Sequence, residues 1–167
     1  DAICSLIVHE TTCEIAGPNG TREIPVEDMC TGPGKNALEN GEFLVSLKIP
    51  LKKGEFSASY ERFIPRNEMD IAVAAVASSL ELSNGKVSSC RVALAAVGPT
   101  PIFAKEASEL LVGKEPTDEN IKKVSEKAKD IASPIADMRG TAEYRQHLCT
   151  VLTKRSLKQS IERAKEN

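Results

Sequence analysis

The sequence predicts an α+β fold built in two pieces, and three observations support that prediction. Turn-forming residues and short alternating apolar runs dominate up to about residue 64, as in antiparallel β structure. An Ala- and Val-rich run follows over residues 69–82, apolar on nearly every side, which predicts a buried helix. After one further strand, three stretches with helical spacing close the chain. The predicted order is a mostly β segment, then helix, strand and three helices.

The first piece is predicted to be almost entirely β structure. Residues 3–9 are a short run of β-forming side chains and are expected to form a strand. The pair Asn19-Gly20 favours positive φ and predicts a hairpin turn. Residues 27–35 are expected to make a turn or short helix that leads into a glycine-bracketed loop. Residues 43–50 and 56–63 are the two clearest strands of this piece.

The second piece is predicted to be mainly helical. The buried helix over residues 69–82 should end at Ser83-Asn84-Gly85, and residues 87–97 alternate as a half-buried strand. Beyond about Lys154, charged side chains predict a solvated tail. The three closing helices are expected at residues 102–111, after an N-cap at Thr117, and after an N-cap at Thr141.

Composition excludes several classes of protein. The 167 residues are 41% hydrophobic and 28% charged, with a formal net charge of −2, as in ordinary globular domains. Nucleic-acid and membrane-surface partners are not expected, because both usually require a basic excess. No apolar run approaches the roughly 20 residues of a membrane span. The five cysteines are scattered, without a CxxC pair or a nearby histidine. They predict no metal centre, but reduced and mostly buried thiols in a cytoplasmic protein.

Motifs alone do not identify an activity. The sequence contains no GxSxG, Walker, HExxH or GxGxxG pattern. His9 and His147 are far apart, and His147 and Arg145 are expected to serve packing or surface contacts. Residues 31–35, Thr-Gly-Pro-Gly-Lys, form a glycine loop whose backbone N–H groups suit a phosphate. A simple connecting loop is the favoured alternative, because no clear helix follows it.

Several short motifs, in one order along the chain, carry a resemblance to a known family. Together they resemble the FAD-binding subunit of the xanthine dehydrogenase, aldehyde oxidase and carbon monoxide dehydrogenase family of molybdenum hydroxylases. The resemblance covers essentially the whole chain. The motifs are GTREIP at 20–25, TGPGK at 31–35, GEFL at 41–44, YERFIPR at 60–66, MDIA at 69–72 and PTP at 99–101.

The resemblance implies both a fold and an activity. Residues 1–55 are expected to be the second subdomain, mostly antiparallel β, of a vanillyl-alcohol-oxidase-like FAD-binding domain. Residues 56–167 are expected to form a small C-terminal domain with a three-stranded antiparallel sheet and a helical bundle. Family members pass electrons from a molybdopterin centre through 2Fe–2S clusters to FAD, and then to NAD or another acceptor. The partners implied are an iron–sulfur subunit and a molybdopterin subunit.

The resemblance also suggests which residues contact FAD. Phe43 and Leu44 lie where family members pack an aliphatic side chain against the flavin, and Tyr60 and Glu61 lie on the strand beside it. Some relatives carry lysine at the position of Glu61. The alternative for Phe43, Leu44 and Tyr60 is packing in the core, and for Glu61 a solvated strand position.

The family's main phosphate-binding loops are absent from this chain, which begins at Asp1 rather than Met. We therefore expect a piece of a larger subunit that is inactive in isolation. The alternative function is a docking or scaffold module that does not bind flavin. A broken β domain is also expected to expose a sheet edge, which favours a homodimer through strand pairing.

Overall fold

The structure is a computed structural model that describes residues 2–52, 54–67 and 69–166. Two antiparallel sheets, a small hairpin and four α-helices account for the described elements. The helices are α1 (Ala2–Val8), α2 (Lys105–Glu109), α3 (Asp118–Ile131) and α4 (Ala142–Glu166), with a 3₁₀ turn at Val26–Asp28. The strands are β1 (Thr12–Gly17), β2 (Gly20–Pro25), β3 (Cys30–Gly32), β4 (Lys35–Asn36), β5 (Phe43–Lys48), β6 (Phe56–Phe63), β7 (Ala74–Ser83), β8 (Lys86–Ala95) and β9 (Ile102–Phe103).

The first sheet has the order β2-β1-β5, so β1 is central and β5 is an edge strand. Gly17 pairs with Gly20 across a two-residue turn, as Asn19-Gly20 predicts. The predicted strand over residues 43–50 is confirmed as β5, and the expected short helix near residue 27 is confirmed as the 3₁₀ turn. The hairpin β3–β4 follows that turn.

The prediction of a strand at residues 3–9 is wrong, because this segment is helix α1. Its buried residues, Cys4, Ile7 and Val8, recur at spacings of three and four, which place them on one helical face. That face packs on the second sheet, against Ala77 of β7 and Ala93 of β8. A seven-residue apolar run fits a strand or a helix about equally well, and the surface that it covers decides between them.

The second sheet has the order β6-β7-β8-β9 and contains the larger core. The predicted helix over residues 69–82 is wrong: Ala74–Ser83 is β7, a central strand. Residues 72–80 are all buried, because α4 lies on one face of the strand and α1 on the other. A strand that is covered on both faces loses its alternation and resembles a buried helix in sequence.

The remaining elements follow the predictions closely. Asn84 and Gly85, with φ of 52° and 76°, form the predicted turn between β7 and β8. The Oγ1 of Thr117 accepts the N–H of Asn120, and the Oγ1 of Thr141 accepts the N–H of Tyr144, so both predicted N-caps are confirmed. The sheet has the three long strands β6, β7 and β8 and adds the two-residue β9. The predicted helix at residues 102–111 is shorter, because β9 occupies its start.

The predicted solvated tail beyond Lys154 is wrong, since α4 packs on β6 and β7 along its length. Leu157 is fully buried. The hydroxyl of Ser78 on β7 lies 2.7 Å from Ser156 Oγ and 3.0 Å from Ser160 Oγ. Small hydroxyl side chains allow the helix to approach the sheet closely while their polar atoms stay paired. The charged residues of this segment are exposed or half-buried, and Arg163 donates from Nη1 to the carbonyl oxygen of Ala58 on β6 at 2.7 Å.

Two further expectations concern the whole described chain. All five cysteines are free thiols, and four of them are buried. None of the helices in the part of the chain that the structure describes has the length and apolar character needed to cross a bilayer.

Candidate functional site

The outer edge of the first sheet is apolar and uncovered. Six large apolar side chains are exposed between residues 43 and 51, and Phe43 retains 61% of its accessible surface. At the opposite edge, β2 carries Thr21, Arg22 and Glu23 instead. A hydrophobic edge strand is normally protected by a further strand, a ligand or another chain. The six exposed residues are Phe43, Leu44, Val45, Leu47, Ile49 and Leu51.

Strand pairing determines which face each of these side chains occupies. Leu44 pairs with Ile15, and Leu47 pairs with Cys13. Residues opposite each other in an antiparallel pair share a face, and both partners on β1 are fully buried. Leu44 and Leu47 therefore extend the buried face of the sheet to its open edge. Phe43 precedes Leu44 in the strand and lies on the opposite face.

The basic side chains of this sheet are neutralised locally. Arg22 donates from Nε to Glu42 Oε1 at 2.8 Å and from an Nη to Oε2 at 2.7 Å. This fork, together with the N–H of Glu39, lowers the pKa of Glu42 to about 2. Lys48 is held by Glu14 at 3.2 Å and by Glu23 at 2.5 Å. Neither cation is left to bind a pyrophosphate group.

Tyr60 and Glu61 are neighbours on β6 and therefore point to opposite faces of the second sheet. Tyr60 packs on the cluster that includes Cys4 of α1. Burial, and secondarily Cys4, raises the pKa of its phenol. Glu61 shares its face with Ser59, whose hydroxyl bonds to Gln159 of α4. Tyr60 is thus partly buried against this cluster.

The four predicted flavin contacts do not form one cluster. Phe43 and Leu44 lie on opposite faces of an edge strand, and Tyr60 and Glu61 lie in the other sheet. Phe43 is exposed, so core packing is wrong for it. Leu47 was missed by sequence reasoning, because strict alternation places it on the face opposite Leu44. The register shift between β1 and β5 brings both side chains to one face. The assignment of these residues to flavin binding stays a prediction.

The glycine loop is a tight connecting turn. Gly32 pairs with Lys35 across Pro33-Gly34, and Gly34 has φ of 68°. Proline followed by glycine with positive φ is the pattern of a type II turn. The chain continues into β4 and not into a helix, so the loop lacks the helix N-terminus that commonly completes a phosphate cradle.

These observations fit the apolar part of a flavin and not its pyrophosphate. Leu44 and Leu47 offer an exposed apolar wall next to the buried side chains of β1, which suits an aromatic ring system. The nearby cations Arg22 and Lys48 are bound by carboxylates. In the residues that the structure describes, no cluster of His, Cys, Asp and Glu is arranged to bind a metal ion.

Two family models match different parts of the chain. Residues 59–160 match the family model of the CO dehydrogenase flavoprotein C-terminal domain. Residues 1–52 match that of the FAD binding domain in molybdopterin dehydrogenase.

Individual relatives cover nearly all of this chain. The carbon monoxide dehydrogenase medium chain of Afipia carboxidovorans is 34% identical over 152 residues, which is 91% of this chain and 52% of that protein. The xanthine dehydrogenase FAD-binding subunit of Escherichia coli O157:H7 is 28% identical over 162 residues, 96% of this chain and 56% of that protein. The solved carbon monoxide dehydrogenase of Hydrogenophaga pseudoflava superposes with a TM-score of 0.93 at 31% identity, covering 98% of this chain and 56% of that one. The chain thus spans about half the length of the relatives that it matches.

Proposed function

Because the chain belongs to the CO dehydrogenase flavoprotein C-terminal domain family, we propose that it is the C-terminal portion of an FAD-carrying subunit of a molybdenum hydroxylase. In this proposal, the parent subunit receives electrons from 2Fe–2S clusters on an iron–sulfur subunit and passes them to NAD or another acceptor. The molybdopterin subunit oxidises the substrate. FAD supplies the redox chemistry when it is bound, and protein groups position its ring.

The apolar edge of β5 is the observation that supports this proposal best. Leu44 and Leu47 would form one wall against the flavin ring, with the side chains of Ile15 and Cys13 buried behind them. Burying an apolar side chain of this size is worth about 1.5–3 kcal/mol, so leaving the wall uncovered is unfavourable. The pyrophosphate would be held by the half of the subunit that this chain does not contain. Tyr60 would support the wall indirectly, through the core around α1.

A flavin titration of the chain tests the proposal. Because the apolar wall contacts only the ring, we expect weak saturable binding, with a Kd of about 10 µM to 1 mM. Riboflavin, which lacks the pyrophosphate, is expected to bind about as tightly as FAD. Replacing Leu44 with aspartate should abolish binding. The matched change Leu51→Asp, at an exposed residue beyond the end of β5, should leave binding unchanged.

Two results of the titration would contradict the proposal. The first is the absence of binding up to about millimolar flavin, and the second is binding that Leu44→Asp does not alter. The first result would favour the alternative function, a docking module for the iron–sulfur and molybdopterin subunits. The pairing of Arg22 and Lys48 with carboxylates favours that alternative, because it removes the local phosphate ligands.

Two other expectations belong to the same proposal. The free cysteines support a reducing compartment, and we place the parent subunit in the cytoplasm. A homodimer through β5 would use the same edge. Light scattering with and without flavin shows whether flavin or a second copy of the chain covers this edge, because flavin bound there would dissociate such a dimer.

A further inference from the structure

The apolar wall of β5 depends on an irregularity in that strand. Leu44 pairs with Ile15 of β1, and Leu47 pairs with Cys13. A step of three residues along β5 therefore matches a step of two along β1. The register assigns Val45 no partner on β1, so this residue is the insertion. One extra residue in one strand of an antiparallel pair is a β-bulge, and such bulges are common beside functional sites, where they re-aim a side chain.

The bulge decides which side chains of β5 form the wall. In a regular ladder continued from Leu44, Ser46 would lie opposite Cys13, and Leu47 would lie opposite Thr12. Because successive residues of a strand point to opposite faces, a slip of one residue exchanges the two faces. Ser46 would then join Leu44, and Leu47 would turn to the other side. The wall would consist of one leucine and a hydroxyl group instead of two leucines.

Glu14 of β1 holds the residues that follow the bulge. Its Oε2 accepts the hydroxyl of Ser46 at 2.7 Å, and its Oε1 lies 3.2 Å from Nζ of Lys48. The hydrogen bond from Ser46, and secondarily Lys48, lowers the pKa of Glu14, so the carboxylate that makes both contacts is ionised at neutral pH. A slip of one residue would break both contacts, because Ser46 and Lys48 would turn to the face of the wall.

Glu23 provides a matched comparison for Glu14. It lies on β2 directly opposite Glu14, and it contacts the same ammonium group of Lys48 at 2.5 Å. It thus reaches β5 at the last residue of the strand, whereas Glu14 also bonds to Ser46, the residue after Val45. Removing either carboxylate takes one partner from Lys48. Removing Glu14 takes away the contact beside the bulge as well.

We propose that Glu14 is a positioning residue of the flavin wall: it fixes the bulge at Val45, and the bulge brings Leu47 beside Leu44. Glu14 lies on the opposite face of the sheet and acts through Ser46, without touching the flavin. The inference rests on the proposed function, because it takes the wall to be the surface that contacts the flavin ring. A hydrogen bond to a charged group contributes more than an exposed ion pair, so the bond from Ser46 is the contact that matters most.

Riboflavin titrations of variants of the chain test this role. Glu14→Leu removes the acceptor, and we expect the affinity for riboflavin to fall by about threefold to tenfold. Glu14→Gln keeps an oxygen that can accept the hydroxyl of Ser46, and it should restore the affinity to within about twofold of the unaltered chain. Ser46→Ala should match Glu14→Leu, and combining the two should cause no further loss, because both remove the same contact. The control Glu23→Leu should leave the affinity unchanged.

A disulfide measures the register of β5 without flavin. Leu47→Cys places a thiol opposite Cys13, and the Cα atoms of facing residues in antiparallel strands are about 4.5–5.5 Å apart, within the range of a disulfide. Oxidised glutathione is the oxidant, and mass spectrometry follows the bond between positions 13 and 47. Adding Glu14→Leu should slow its formation by about threefold or more, because slipped chains place position 47 on the other face. Adding Glu23→Leu should leave the rate unchanged.

The two measurements separate this inference from the proposed function. Unchanged riboflavin affinity and an unchanged disulfide rate in Glu14→Leu would overturn the role of Glu14. Equal losses in Glu14→Leu and Glu23→Leu would also overturn it, because they would assign the effect to Lys48 and not to the bulge. If the unaltered chain does not bind riboflavin, the proposed function fails, and the disulfide rate alone then decides whether Glu14 fixes the bulge.

Discussion

Replacement of Arg145 with methionine tests how the loops at Ala96 and Asp137 are fixed to the second sheet. Arg145 lies in the first turns of α4, and its guanidinium group reaches the residue that precedes β7. Methionine keeps most of the aliphatic length of the side chain but removes every donor. The carbonyl oxygen of Val73, a fully buried residue, then loses its bond from Nη. The carbonyl of Ala96 lies in an exposed residue and can turn to water.

The expected cost follows from these contacts. A hydrogen bond from a charged donor contributes about 1.5–3 kcal/mol, and leaving its buried acceptor unpaired costs a similar amount. Part of this is offset, because the Nε of Arg145 is buried without a partner among the described residues and its desolvation is relieved. The net loss in the free energy of unfolding should be about 2 kcal/mol. For a chain of this length, that corresponds to a fall in Tm of about 4–8 °C.

Urea denaturation of the chain, followed by circular dichroism, measures this loss. The midpoint should fall while the m-value stays constant, because the surface exposed on unfolding is unchanged. The control is Arg155→Met, the same substitution at an exposed position of the same helix. The control should shift stability by less than about 0.5 kcal/mol. Equal effects of the two substitutions would refute the role assigned to Arg145.

Two further predictions concern the long helix and the first sheet. Leu157→Ala should lower the free energy of unfolding by about 2–5 kcal/mol, because the side chain is fully buried against the sheet. The control Glu162→Ala, at an exposed position of α4, should change the free energy of unfolding little. Equal urea midpoints for the two variants would indicate that the segment after Lys154 is solvated. The pKa of Glu42 is depressed by Arg22, so this carboxylate stabilises the fold above about pH 4.5, and the stabilisation is lost as the pH falls towards about 2. Arg22→Gln should therefore flatten the dependence of the urea midpoint on pH in that range, and an unchanged profile would exclude the ion pair as its cause.

Local chemistry explains which elements could be predicted from sequence. The turns at Asn19-Gly20 and Asn84-Gly85, and the caps Thr117 and Thr141, depend on a few neighbouring atoms. All four are confirmed in the structure. The strand β5 was likewise predicted, as residues 43–50. For such features the deciding interactions lie within a few residues of sequence, so the pattern contains them.

Longer-range contacts explain the errors. Strand β7 resembles a helix in the sequence because α1 and α4 cover both of its faces, and neither helix is adjacent to it in sequence. The segment after Lys154 is buried because Leu157 packs into the core, and because Ser156 and Ser160 hydrogen-bond to Ser78 of β7. The boundary between residues 55 and 56 stays a prediction, although α1 from the first segment packs on the second sheet.

The sequence by itself determined the fold class, the family, and the expectation that FAD belongs to the parent subunit. It could do so because motif order and local turn chemistry are properties of the linear chain. Only the tertiary structure decided that Leu47 joins Leu44 on one face of β5, and that Tyr60 packs against the cluster around α1. It also revealed that Arg145 of α4 bonds to the carbonyl oxygens of Val73 and Ala96, residues far from it in sequence. Burial and shared faces depend on which distant segments meet, and that information appears only when the chain is folded.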